Sequence, residues 1–182
     1  MGKYYDLAGD EIRNRVASII EQHHSDLKAA SLKIDLLCAQ SDEDGGFAVM
    51  LHGYPCNAIV RITSAKERAA GRGDAEIVID KSLYDEMSEA TRNALLDHEL
   101  YHLTVAKDKH GCFKVDANHR PLLKMRLHDH EFGWFDAIAA RHGGAATEVI
   151  QARQFVQARG QTYFGFDLAA KIPKTTEAKS KA

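Results

Sequence analysis

The sequence contains no apolar run that approaches the roughly 20 residues needed for a transmembrane helix, and its first six residues lack the apolar core of a secretory signal. The formal net charge is only −2 over 182 residues, so the molecule has no general basic field for nucleic acid or anionic membranes. We therefore expect a cytoplasmic protein without membrane attachment, and we do not expect nucleic acid as a partner.

Cysteine is also scarce. The three cysteines, Cys38, Cys56 and Cys112, are an odd number and form no CxxC pair. A disulfide framework or a zinc ribbon needs more cysteines at paired spacing, so reduced thiols are expected. Histidine, in contrast, is abundant, with ten residues. This abundance favours a metal site but also makes accidental histidine motifs more common, so spacing and position have to decide.

Hydrophobic periodicity predicts an α+β fold, with a small mixed sheet packed against helices. Isoleucine and valine recur at helical spacing from about Gly9 to His24. Short segments rich in β-branched residues predict strands at Leu32–Cys38, Phe47–Leu51, Ala58–Thr63 and Ala75–Asp80. The charged, glycine-containing segment 65–74 is expected to be a surface loop. The length favours one domain, placed at residues 1–170, before a disordered lysine-rich tail at 171–182.

An HExxH sequence at residues 98–102 carries the clearest chemical signal. Ser88 is a suitable N-cap for its helix, which should extend to about Val105. On a helix, the i, i+4 spacing directs the imidazoles of His98 and His102 to one point, where they can bind Zn²⁺. Glu99 lies on the adjacent surface and can accept a proton from a metal-activated water. These residues lie among core leucines, which favours a metal site over a chance match.

A catalytic zinc requires a third protein ligand and an open position for water. Residues 127–142 are predicted to form a helix that ends at a Gly-Gly pair. His128 begins an apolar stripe that continues through Phe135, so it is the predicted third ligand. His130, on a different side of that helix, is the second choice, and Glu131 is a less favoured carboxylate alternative.

The residues that support the site are less well determined. Asp129 and Asp97 can orient ligand imidazoles, but for Asp97 we favour a solvated surface carboxylate. His24, which closes the first helix, is assigned no function, and a last amphipathic helix is predicted at Thr147–Arg159. Four side chains have the chemistry to stabilise an oxyanion, and the sequence does not distinguish among them: Tyr84, Tyr101, His119 and Arg120.

Residues 95–102 and His128-Asp129-His130-Glu131-Phe132 resemble the putative phage metallopeptidase family. The order of the surrounding elements is similar as well, and the resemblance covers about residues 33–143. It implies a zincin-like fold, distantly similar to SprT-like peptidases, with a small mixed sheet against the HExxH helix. It also implies a zinc-dependent peptidase that is encoded by a phage or prophage and acts in a bacterial cytoplasm.

The sequence thus predicts a zinc metallopeptidase for protein or peptide substrates, with His98, His102 and His128 as ligands and Glu99 as general base. The alternative is a zincin-like binding module with a structural or repurposed metal and no turnover. Glu99 favours the enzyme, because a purely structural site has no need of a base. A peptidase for DNA-bound proteins is a third hypothesis by analogy with SprT-like enzymes; the near-neutral charge and the lack of zinc-ribbon cysteines oppose it.

Overall fold

The computed structural model describes residues 2–43, 45–51, 53–128 and 134–158, which form a mixed α+β structure. The strands in these ranges are β1 (Lys3–Leu7), β2 (Ile34–Ser41), β3 (Met50–Leu51), β4 (Tyr54–Pro55), β5 (Ala58–Ile62), β6 (Ala75–Asp80), β7 (Leu103–Val105) and β8 (Leu123–Met125). The helices are α1 (Asp10–His23), α2 (Ser25–Ala29), α3 (Ala65–Ala69), α4 (Lys81–Glu86), α5 (Glu89–Tyr101), α6 (Asp136–His142) and α7 (Thr147–Ala158). None of these helices has the length and apolar character needed to cross a bilayer.

A four-stranded mixed sheet in the order β1-β2-β6-β5 forms the centre of the fold. The two inner strands run parallel, and each outer strand is antiparallel to its neighbour. Every residue of β6 is buried, because both faces of this strand are covered. Ile77 and Ile79 share a core with residues of α1 and α5, whereas Val78 packs with Ala48 and Val49 on the opposite face. The predicted small mixed sheet is confirmed.

Helix α5 begins where the sequence predicts. The Ser88 hydroxyl accepts a hydrogen bond from the Thr91 N–H and caps its first turn. The helix ends at Tyr101, however, and not near Val105, because the chain turns directly into β7. His102 is the C-cap residue, so the HExxH sequence occupies the last turn of the helix.

Two other predictions are wrong. The segment 65–74 is not only a loop: it contains α3, whose first turn Ser64 and Glu67 stabilise through a reciprocal capping box. Residues 127–142 do not form one helix, since α6 begins at Asp136 and Leu127 and His128 have no helical structure. His128 and Phe135, which the predicted stripe placed on one helix face, therefore both lie outside a helix.

Some predictions fall outside the described residues. These are Asp129, His130, Glu131 and the tail at 171–182, together with the domain boundary at residue 170. Strand β1 has no counterpart in the sequence-based predictions. Its five residues are all exposed, so it lacks the alternation of buried and exposed positions that identifies a strand.

Candidate metal centre

Three histidines converge at the end of α5. His98, His102 and His128 each offer one nitrogen, and these nitrogens all lie within 4.8 Å of one another. The Nε2 atoms of His98 and His128 are 3.2 Å apart. A tetrahedral zinc site with bonds of about 2.0–2.1 Å places its ligand atoms roughly 3.3 Å from each other. The spacing therefore fits a single metal ion.

The histidines reach this point by two different routes. His98 and His102 lie one helical turn apart, and the His102 N–H still donates to the His98 carbonyl over 3.3 Å. His128 arrives through the antiparallel pairing of β7 with β8. This pairing continues past the strand, where the Arg126 N–H donates to the His102 carbonyl over 2.7 Å. His128 follows two residues later, in the chain after a strand and not on the helix predicted for it.

The second nitrogen of two of these rings has a hydrogen-bond partner. His102 Nδ1 donates to the Arg126 carbonyl over 2.8 Å, and His98 Nδ1 pairs with Glu148 Oε1 over 2.7 Å. Metal-binding histidines usually make such a bond, which fixes the ring and directs the Nε2 lone pair at the ion. Sequence reasoning missed Glu148. A glutamate in the first turn of a helix commonly interacts with the helix dipole alone, so no signal marked it.

The electrostatics favour a positive charge between the rings. Burial lowers the pKa of His102 to about 4, so this ring is neutral near pH 7 and its lone pair is available. Burial also acts to lower the pKa of His98. The hydrogen bond with Glu148 and the charges of Glu99, Glu148 and Asp97 outweigh that effect, and the pKa of His98 is raised. The carboxylates thus stabilise positive charge at His98, on the ring or on a cation beside it.

Glu99 presents a buried carboxyl group to the same cleft. Its side chain is almost inaccessible, with the residue 5% exposed, and it lines the cleft together with the histidines. Burial raises the pKa of Glu99 to about 7 in the metal-free chain. A cation on the neighbouring histidines would lower this pKa again, because it favours the carboxylate form. A carboxyl group that exchanges its proton near neutral pH suits general acid–base chemistry.

Phe135 forms the packed wall behind the histidines. It is fully buried, and its ring centroid lies 4.9 Å from that of His98 and 4.8 Å from those of His102 and His128. The residue precedes α6 and has an extended backbone. Phe135 therefore contacts the histidines from the position just before α6 and not from within a helix.

Asp97 is not the solvated surface carboxylate that the sequence suggested. It is fully buried and accepts hydrogen bonds from His24 Nε2 over 2.7 Å and from His142 Nε2 over 2.6 Å, and it forms an ion pair with Arg141. Burial acts to raise the pKa of Asp97, but these three partners hold it well below its usual range. Asp97 therefore links the ends of α1 and α6 to α5, one residue before His98.

The histidines open into a cleft of about 540 Å³. Its floor is α5, one wall is the edge strand β5 with the residues before it, and the other wall is the chain that follows β8. None of the four oxyanion candidates is among the described residues that line it. Tyr84, for example, is buried elsewhere, and burial raises its pKa to about 12. Arg126 lines the cleft instead, with its guanidinium carbon 4.0 Å from the Tyr101 ring centroid.

The burial of Glu99 predicts a pH-dependent stability in the metal-free protein. The folded state holds this proton up to about pH 7, whereas the unfolded chain loses it near pH 4.5, so stability present below pH 4.5 is lost as the pH rises through 7. Glu99→Gln removes this loss of stability and should raise the free energy of unfolding by roughly 3 kcal/mol at pH 8. Denaturant unfolding with EDTA at pH 5 and pH 8 measures the effect.

The matched control is Glu86→Gln, which replaces an exposed glutamate on α4. We expect its effect to be small at both pH values. A gain from Glu99→Gln that is equal at pH 5 and pH 8 would contradict the buried, proton-holding state of Glu99.

Comparison with known proteins extends these observations. No curated protein and no solved structure shows a significant match to the chain. The family model described as "Putative phage metallopeptidase" matches residues 5–158. This range contains the three histidines, Glu99 and Glu148, and it covers most of the sequence. The chain belongs to the putative phage metallopeptidase family.

Proposed function

We propose that the protein is a zinc-dependent peptidase in which His98, His102 and His128 hold the metal and Glu99 is the general base. The observation that carries this proposal is the convergence of three histidine nitrogens beside a buried carboxyl group in an open cleft. The family supports peptide-bond hydrolysis as the reaction. We further propose that the protein is phage or prophage encoded and acts in the bacterial cytoplasm.

The donor set favours zinc. Three imidazoles with an open position are a known catalytic zinc arrangement, whereas Mg²⁺ and Ca²⁺ require oxygen ligands. His102 is neutral near pH 7, and the carboxylates around His98 compensate the charge of a divalent ion. When bound, the ion supplies Lewis-acid chemistry, since it polarises a carbonyl group and lowers the pKa of water.

Glu99 has the position and environment for proton transfer. Its carboxylate takes the proton of the attacking water and then delivers it to the amine that leaves. Burial shields the carboxyl group from solvent, and no residue in the described ranges donates a hydrogen bond to it. The side chain therefore remains available for the reacting atoms.

The surroundings of the site support a zincin-like arrangement, which we include in the proposal. The HExxH helix packs against a mixed sheet, and β5 borders the cleft. Within the described residues β5 pairs only with β6, so its outer edge has free backbone groups. An extended peptide can add to such an edge through main-chain hydrogen bonds.

Metal loading tests the proposal directly. Purified protein should bind about one zinc ion per chain, and a chelator should abolish peptide hydrolysis until zinc is restored. His128→Ala should lose most of its zinc affinity, because two ligands remain. The matched control, His110→Ala, removes an exposed histidine from a turn and should retain metal and activity. Zinc binding without hydrolysis of any peptide would favour the binding module over the enzyme.

Glu148→Gln tests how the site is supported. We expect zinc affinity to fall roughly 10–100-fold, because the amide keeps the shape but loses the charge that orients and polarises His98. The metal-free protein should lose little stability, because the amide oxygen can still accept a hydrogen bond from His98 Nδ1.

Competition with a chromophoric chelator measures the affinity of Glu148→Gln, and calorimetry with EDTA measures its stability. Gln151→Ala changes a residue of the same helix that also lines the cleft, and it should leave the zinc affinity unchanged. A loss of metal-free stability with unchanged zinc affinity would show that Glu148 is only structural.

A further inference from the structure

The walls of the cleft carry large apolar side chains that are exposed to solvent. Leu51 is 51% exposed, Met125 41% and Leu127 83%, and all three line the cleft that contains the histidines. Single exposed apolar residues are ordinary on protein surfaces. Three of them around one concave site are the usual mark of a ligand-binding region.

This apolar wall has a fixed position relative to the metal centre. Met125 and Leu127 flank Arg126, whose N–H and carbonyl both bond to His102, over 2.7 and 2.8 Å. Leu127 also directly precedes His128. Both side chains are therefore held beside the point where a scissile carbonyl would meet the metal.

Leu51 contributes from the opposite side of the cleft. It lies in β3 and pairs with Tyr54 of β4, so a short hairpin holds it. Tyr54 is itself 76% exposed and extends the apolar surface beyond the cleft. The cleft thus has apolar groups on both walls.

The cleft has few charged side chains, and most of them lie at its buried end. Apart from the histidines, the charged residues in its described lining are Glu99, Arg126 and Glu148. Both glutamates are buried next to the histidines, and Arg126 packs over Tyr101. Apart from the histidines, Arg126 is thus the one charged side chain in the described lining that is not buried.

We propose that Leu51, Met125 and Leu127 form a specificity subsite that receives a large aliphatic or aromatic side chain next to the scissile bond. This inference rests on the proposed peptidase function. The substrates it selects are extended polypeptide segments with exposed apolar residues, as found in unfolded or disordered chains. Apolar pockets discriminate by about 10–200-fold for small changes in side-chain size.

Matched peptides test the subsite. The peptides differ at one central residue, which is Leu, Phe, Ala, Asp or Lys in a background of alanine and glycine. Zinc-loaded protein should cleave the Leu and Phe peptides about 10–100-fold faster, in kcat/KM, than the other three. Equal rates for all five peptides would overturn the proposal.

Two variants locate the preference within the cleft. Leu51→Ser and Leu127→Ser should each reduce the advantage of the Leu and Phe peptides by about 10-fold. Leu7→Ser is the matched control, since Leu7 is 73% exposed on β1 and does not line the cleft. Zinc content is measured in each variant, because Leu127 adjoins His128. Leu51 lies on the other wall of the cleft and does not adjoin a metal ligand. If Leu51→Ser and zinc-loaded Leu127→Ser both keep the native preference for the Leu and Phe peptides, the proposal is overturned.

A binding measurement separates this inference from the proposed function. Zinc-loaded Glu99→Gln is titrated with fluorescent Leu and Asp peptides, and anisotropy gives the two affinities. Tighter binding of the Leu peptide supports the subsite even if the native protein cleaves nothing, which would refute the peptidase alone. Equal binding of the two peptides would refute the subsite even if the native protein is active.

Discussion

Replacing Glu99 with glutamine is expected to lower kcat for peptide hydrolysis by roughly 10²–10⁴-fold while zinc remains bound. Glutamine fills the same volume and leaves the three histidines in place, but it cannot accept the proton of the attacking water. The loss should appear in kcat and kcat/KM together, because the interaction removed belongs to the transition state. Steady-state kinetics on the best peptide substrate and metal analysis of the same sample measure both parts.

Glu86→Gln serves again as the control, since it makes the same chemical change at an exposed position of α4. Its activity should equal that of the native protein. If Glu99→Gln retains full activity with zinc bound, the base is a different residue. If the native protein and Glu99→Gln both bind zinc and neither hydrolyses any peptide, the site does not catalyse peptide hydrolysis.

Removing the Asp97 carboxylate is expected to destabilise the protein by about 3–5 kcal/mol. Asp97→Ala leaves His24, Arg141 and His142 without their shared acceptor in a buried position. Denaturant unfolding at pH 7 with EDTA measures the effect without a contribution from bound metal.

The pH dependence of this loss has a defined sign. In the folded state the pKa of Asp97 lies below its ordinary value of 3.8. The ionised carboxylate therefore adds to the free energy of unfolding above pH 3.8, and this stabilisation is lost as the pH falls through the lower folded pKa. The difference in the free energy of unfolding between the native protein and Asp97→Ala should therefore become smaller in strong acid. Asp85→Ala is the control: it breaks an exposed i, i+4 pair with Lys81 and should cost less than about 0.5 kcal/mol. If Asp97→Ala and Asp85→Ala lower the free energy of unfolding by the same amount, the hydrogen bonds and ion pair around Asp97 do not stabilise the fold as expected.

Local pattern was enough to predict much of the structure. The helix α1, the strands β5 and β6 and the cap of α5 follow from short-range signals, namely periodicity, β-branched residues and a serine at the right position. The pairing of His98 with His102 is local as well, because i, i+4 spacing on a helix brings two side chains together wherever the helix lies. The predicted helix over 127–142 failed, since apolar spacing alone does not show whether residues pack as a helix face or around a site.

The sequence by itself thus determined the pairing of His98 with His102, the position of Glu99 beside them and the α+β class. Tertiary structure decided the rest, because the partners are distant along the chain. The register of β7 and β8 sets where His128 lies, and a shift of one residue would move it away from His98 and His102. Glu148 reaches His98 from 50 residues further along the chain. Its contact depends on how α7 packs against α5, which no local pattern of residues encodes.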